Sequence, residues 1–226
     1  MRFTVTAMLC AAALTSAAPA QERAPAAKRK PMDALAQTLL ALTPPAGFSG
    51  TRPLGTLRAQ PSPIRWLPTP KPEDAQSWKV GTLAGANVTA PRSDTPSTLT
   101  FSWLGQTGQP LGFNPVIAFR KAGMEVQALY CASMVSEGTN YFFVSAPGKR
   151  PGVLSVYAYD APIGIASVEW TISYRLDGHV PTLEEAQAEA DLDISTDCST
   201  KTFGPVEQIS HAKAVARTRR AEAPGS

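Results

Sequence analysis

Large apolar and polar residues alternate most regularly between Ser167 and Leu176. Val168, Trp170, Ile172, Tyr174 and Leu176 fall on one parity, and Ser167, Glu169, Thr171, Ser173 and Arg175 fall on the other. A period of two sets these groups on opposite faces of an extended chain, which predicts an antiparallel strand with one buried side. Leu99, Phe101 and Trp103 alternate with Thr98, Thr100 and Ser102 in the same way. Runs at Trp78–Leu83, Val116–Lys121, Glu125–Ser133, Thr139–Ser145 and Val153–Tyr159 predict five more strands. Gly and Pro punctuate them at Gln106–Pro110, Lys121–Gly123, Glu137–Gly138 and Pro147–Gly152. About seven short strands at this spacing predict a mainly β chain, an antiparallel β-sandwich or open barrel rather than a parallel α/β fold.

Helical spacing occurs at three places. Thr182 and Glu185 form a capping-box pattern ahead of a short helix reaching about Asp191, the one helix expected near the C-terminus of the β body. Asp33 stands where it caps Ala34–Leu42, whose Leu35, Leu39 and Leu42 share a face before Pro44 and Pro45 end the pattern. Val206, Ile209, Ala212 and Ala216 trace a weaker helical stripe in the tail.

Composition and charge then divide the chain. Residues 21–76 hold ten prolines, with Pro61, Pro63, Pro68, Pro70 and Pro72 closely spaced, and read as a Pro-rich extended arm with one short helix. Their eight Lys/Arg exceed four Asp/Glu; residues 77–200 carry seven against twelve, and residues 201–226 five against two. An acidic β domain over 77–200, expected to fold alone, is thus flanked by two basic arms. Trp66 is the apolar exception in the first arm, a side chain that could dock on the body or on a partner. The hydrophobic fraction of 43% excludes wholesale disorder, and a net charge of +3 argues against a nucleic-acid partner.

Residues 1–20 read as an export signal. Arg2 supplies the positive end, Phe3–Leu14 the apolar run, and Ala18-Pro19-Ala20 the small-x-small site before Gln21. The run falls short of the roughly 20 apolar residues of a membrane span, so cleavage leaves no transmembrane anchor. Met8 and Leu9 precede Cys10 where a lipid-attachment site needs a small residue. A periplasmic or extracellular location follows, where disulfides persist, and the remaining Cys131 and Cys198 are expected to pair. Two buried thiols are the alternative, and no histidine lies near enough in sequence to make a zinc site.

Candidate chemistry is sparse. His179 sits in a Leu-Asp-Gly-His turn beside Asp177, without a nucleophile elbow to complete a triad. Asp191, Asp193, Ser195 and Asp197 have the odd-position spacing of a calcium loop, but Thr196 and Thr202 replace its glycine and final glutamate. At most a weak extracellular calcium site is expected there, and no cofactor elsewhere. Adjacent Glu184 and Glu185 suit solvation better than glycoside hydrolysis. Tyr141, Tyr157 and Tyr159, with Trp66, are the candidate ligand-binding aromatics, suited to sugar rings or a protein partner unless a second sheet buries them. Asn87-Val88-Thr89 is a glycosylation sequon by pattern. The basic arms suit an anionic envelope surface. The expectation is an exported, non-catalytic binding or assembly domain with a protein or glycan partner; the alternative is a secreted hydrolase acting on cell-wall or carbohydrate substrates.

Overall fold

The computed structural model describes residues 31–106, 114–132, 137–159, 168–190, 194–198 and 205–223. Helices α1 (Pro31–Leu42) and α2 (Leu54–Ala59) precede strands β1 (Arg65–Pro72), β2 (Ser77–Leu83), β3 (Ala86–Pro91) and β4 (Thr98–Gln106). Helix α3 (Pro115–Lys121) leads to β5 (Glu125–Ala132), β6 (Glu137–Ser145), β7 (Gly152–Tyr159) and β8 (Val168–Arg175). Helix α4 (Leu183–Ala190), the two-residue β9 (Ile194–Ser195) and helix α5 (His211–Glu222) follow.

The chain is mainly β and antiparallel, as the alternation predicts. Among the described residues nine strands, rather than about seven, form one open sheet in the order β1-β2-β3-β4-β8-β7-β6-β5-β9. The first four strands meander across one half. The chain then crosses through α3 to the far side, and β5 to β8 meander back until β8 pairs with β4. The edge strands β1 and β9 are at opposite ends of this order, so the sheet is not closed, and helices join its strands in both buried clusters.

The larger cluster joins Val88, Phe101, Ile172, Val156 and Phe142 of the sheet to Leu35, Leu39 and Leu42 of α1 and to Val116 and Phe119 of α3. The stretch 31–72 therefore contributes two helices and an edge strand to the core, where its prolines suggest a free arm. Each proline has a local reason. Pro44 and Pro45 follow the end of α1, and Pro53 precedes α2. Pro68, Pro70 and Pro72 lie on β1, an edge strand where a missing amide costs little and discourages pairing with another chain. Arg58 holds that strand through the carbonyls of Leu67 and Pro68.

The expected strand at Val116–Lys121 is helix α3. Asn114 caps it by accepting from the Ile117 amide at 3.1 Å, and Pro115 occupies its first turn. Burial of Val116 and Phe119 with exposure of Ile117 and Arg120 shows a helical face where the branched residues suggest a strand.

The C-terminal segment is also built in. Ala128 on β5 donates to Glu207 O at 2.8 Å and accepts from Ile209 N at 2.9 Å. Ser210 then caps α5, which buries Ala214 and Thr218 in or beside the smaller cluster of Leu129, Tyr130, Tyr141, Phe143 and Val153. Arg150, 1% exposed, fastens the layers: its guanidinium donates to Gly50 O at 2.9 Å, Phe48 O at 3.4 Å, Glu222 Oε1 at 3.3 Å and Leu176 O. Gly152 is required by close approach, because a Cβ there would lie 2.5 Å from the Tyr174 hydroxyl. Cys131 and Cys198 form the expected disulfide across 67 positions, tying the segment after β9 to β5.

Candidate functional site

The alternation that buries one face of the central strands leaves the opposite face rich in hydroxyls, and strand register aligns them. Thr100 on β4 faces Ser173 on β8, which faces Ser155 on β7, which faces Tyr141 on β6. The neighbouring row runs Ser102, Thr171, Tyr157, Thr139, and the next begins Thr98, Arg175. Strand geometry sets such side chains about 4.8 Å apart across the sheet and about 7 Å apart along it. Some hydroxyls bond to each other: Thr100 and Ser173 lie 2.9 Å apart, and Thr171 donates to Ser102 at 3.3 Å.

Helices α4 and α5 complete the smaller cluster with β5, β6 and the start of β7. Beside them lies a groove of about 330 Å³, lined by Thr98, Thr139, Ser155, Thr171 and Ser173, with Tyr141, Tyr157, Arg175 and Glu189. Its end is held by charge. Arg175 pairs with Glu189 of α4, so these two charges cancel. The Tyr141 hydroxyl donates to Ala186 O at 3.1 Å and to Glu189 Oε2 at 3.3 Å. Burial, with Glu189 adding to it, pushes this phenol far above its ordinary range, so it remains a donor at any physiological pH.

The groove offers hydroxyls, each both donor and acceptor, beside the Tyr157 ring. No histidine is among its lining residues. Its chemistry is that of a neutral hydrogen-bonding surface with an aromatic wall.

The candidate residues divide between this place and others. Tyr157 and Tyr141 both reach the groove, although Tyr141 is a buried ring set edge-on to Tyr130, with centroids 6.1 Å apart. Tyr159 ends β7 opposite Glu169, and its side chain lies outside the described residues. Trp66 is on β1, separated from β4 by two strands, and packs half-buried against the larger core cluster. Asp191 and Asp193 lie outside the described residues. Asp197 is exposed, in a turn whose backbone exchanges hydrogen bonds with the Ser195 hydroxyl at 3.1 and 3.2 Å.

His179 and Glu185 belong to a helix cap. Glu185 Oε2 lies 3.0 Å from His179 Nε2 and accepts from Thr182 N at 2.8 Å, while Glu185 N donates to Thr182 Oγ1 at 3.2 Å. Hydrogen bonds from Thr182 first, then His179, hold the Glu185 carboxyl below its usual value. Glu184 is exposed, and Asn87 of the sequon lies half-buried within β3. The hydroxyl rows, Arg175 and Glu189 are the site residues that sequence reading passed over. The polar parity at Thr98–Ser102 and Thr171–Arg175 carries the signal for the rows and for Arg175, and by itself it marks only the solvent side of two strands.

Compared with protein-family models, curated proteins and solved structures, the chain matches none.

Proposed function

We propose that this chain is an exported, non-catalytic binding domain whose site is the hydroxyl face of the sheet and whose ligand is a neutral glycan. One observation carries the reading: strands β8, β7 and β6 bring the registered hydroxyls of Ser173 and Ser155, and of Thr171 and Thr139 on either side of Tyr157, into a groove whose charged residues, among those described, are one ion pair. A sugar displays hydroxyls at the spacing of its ring carbons, and each can exchange a hydrogen bond with such a surface while an apolar ring face lies on an aromatic side chain. Export after removal of residues 1–20, to the periplasm or the exterior, agrees with the Cys131–Cys198 bridge. Among the described residues no helix is long and apolar enough to cross a membrane.

A hydrolase of the glycosidase type requires two carboxyl groups flanking the bond to be cut. Among the described residues the groove lining contains one, Glu189, already bound by Arg175 and Tyr141. The binding reading is therefore the one supported.

Affinity electrophoresis of the mature chain through gels containing soluble glucan, xylan, mannan or chitin oligosaccharides tests it. At least one neutral glycan should retard the protein, and Tyr157→Ala should weaken that retardation about tenfold, the equivalent of about 1.4 kcal/mol. Free migration in every gel would reject the proposal.

A further inference from the structure

A second groove, of about 610 Å³, opens between α5 and the turn Ala146–Lys149. Its walls are fixed. Lys149 N donates to Ala146 O at 3.1 Å, with Pro147 and Gly148 at the centre of the turn and Gly148 at a φ of 68° that suits glycine. Ala46 N donates to Gly148 O at 3.1 Å, and Gly47 N donates to Ala221 O at 2.6 Å, so one loop joins the turn to the end of α5.

Three cations line this groove: Lys149 from the turn, and Arg217 and Arg220 from α5. Arg217 is already committed. It donates to Glu125 Oε2 at 2.7 Å, Gln127 Oε1 at 2.7 Å and Ser145 Oγ at 2.9 Å, and it lies over the Phe143 ring. Glu125, the groove's one carboxylate, is thereby neutralised. The nearby Glu222 is paired with Arg150 instead. Lys149 reaches no closer partner than Thr43 O at 3.4 Å, and Arg220 is exposed with no ion pair among the described residues. Among the described residues, two cations without an ion pair, Lys149 from the turn and Arg220 from α5, thus line one concave site.

We propose that this groove binds a phosphate group. Two positive charges match a phosphate monoester, which carries about −1.5 to −2 at neutral pH, whereas a carboxylate leaves one cation unmatched. Partial negative charge of about half a unit at the C-terminal end of α5 draws on Arg220 in its last turn, leaving a positive charge of about 1.5 that meets the lower end of the monoester's range. The basic character of the tail thereby acquires a defined location, independent of the hydroxyl face. Free phosphates and the monoester headgroup of phosphatidic acid present the same chemistry.

The test titrates the mature chain with inorganic phosphate by calorimetry at constant ionic strength, with acetate as the carboxylate comparison. Flotation with phosphatidylcholine vesicles, with and without phosphatidic acid, forms the second arm. The expected result is saturable binding to phosphate or to phosphatidic acid vesicles, weaker binding to acetate, and at least a tenfold loss in K149Q/R220Q. Arg65→Gln, an exposed cation on β1, should change nothing. Phosphate in solution alone identifies a soluble ligand, and vesicles alone a lipid. If the double variant does not fold, R220Q decides, because that side chain is exposed. Absence of binding in both arms, equal affinity for acetate, unchanged binding in the variant, or an equal loss in Arg65→Gln overturns the proposal.

Discussion

Leu39→Ala in α1 tests whether residues 31–72 are structure rather than arm. Leu39 is fully buried, with Leu35 and Leu42 on the same helix, in the cluster shared with α3 and the sheet. Truncating such a leucine costs about 2–5 kcal/mol, and the middle of that range applies where no solvent reaches the cavity. In a chain of this length 1 kcal/mol moves Tm by about 2–4 °C, so about 3.5 kcal/mol lowers it by about 7–14 °C. Deleting residues 21–76 removes the buried Met32, Leu35, Leu39, Leu42, Leu57 and Ile64 together. At about 2 kcal/mol each their loss approaches the whole margin of about 5–15 kcal/mol, and the remaining chain should show no cooperative transition. Circular dichroism during heating and urea titration reads both. A Leu39→Ala midpoint within 2 °C of the parent, or a truncated chain that still melts cooperatively, would refute the packing argument.

Reducing the Cys131–Cys198 bridge releases a loop closed across 67 positions, which in the chain-entropy account costs about 4 kcal/mol. Urea titration with and without reductant measures it, and thiol counting on the unreduced, denatured chain should find none free. Arg217 holds the Glu125 carboxyl below its ordinary value, chiefly by hydrogen bonding. A depressed carboxylate contributes stability that is present above its unfolded pKa of about 4.3 and is lost as pH falls through the lower folded value. The urea midpoint of Glu125→Gln should therefore lie slightly below the parent's at pH 7 and converge with it in acid, the effect staying small because Glu125 is half-exposed. A gap that persists at pH 3 would assign the stability to something other than the charged pair.

The strands most legible in the sequence were those with large residues on one parity. Val168–Arg175 and Thr98–Gln106 alternate bulky apolar with small polar groups, and both are central strands buried on one face. β3 escaped notice because its inward residues are Ala86, Val88 and Ala90, too small to stand out. β1 was hidden by its prolines, which block a central strand but suit an edge. Val116 and Ile117 favour strands and so hide α3, while the deciding signal is local: Asn114 followed by Pro115. The capping box of α4 was legible because it is a contact within one turn. The groove was not, since it depends on which strands become neighbours, and β4 meets β8 only after a crossover through α3.

The central claim, that the hydroxyl face binds a neutral glycan, is tested most directly by methyl NMR of the mature chain. Thr98, Thr139 and Thr171 line the groove and each carries a methyl group, and Leu35 and Leu39 report on the opposite side of the sheet. On adding the oligosaccharide that retards the protein most, the three threonine methyl signals should shift along one saturable curve while those of Leu35 and Leu39 stay in place. Shifts confined to the leucines, or threonine signals unmoved at concentrations that saturate binding, would contradict the account.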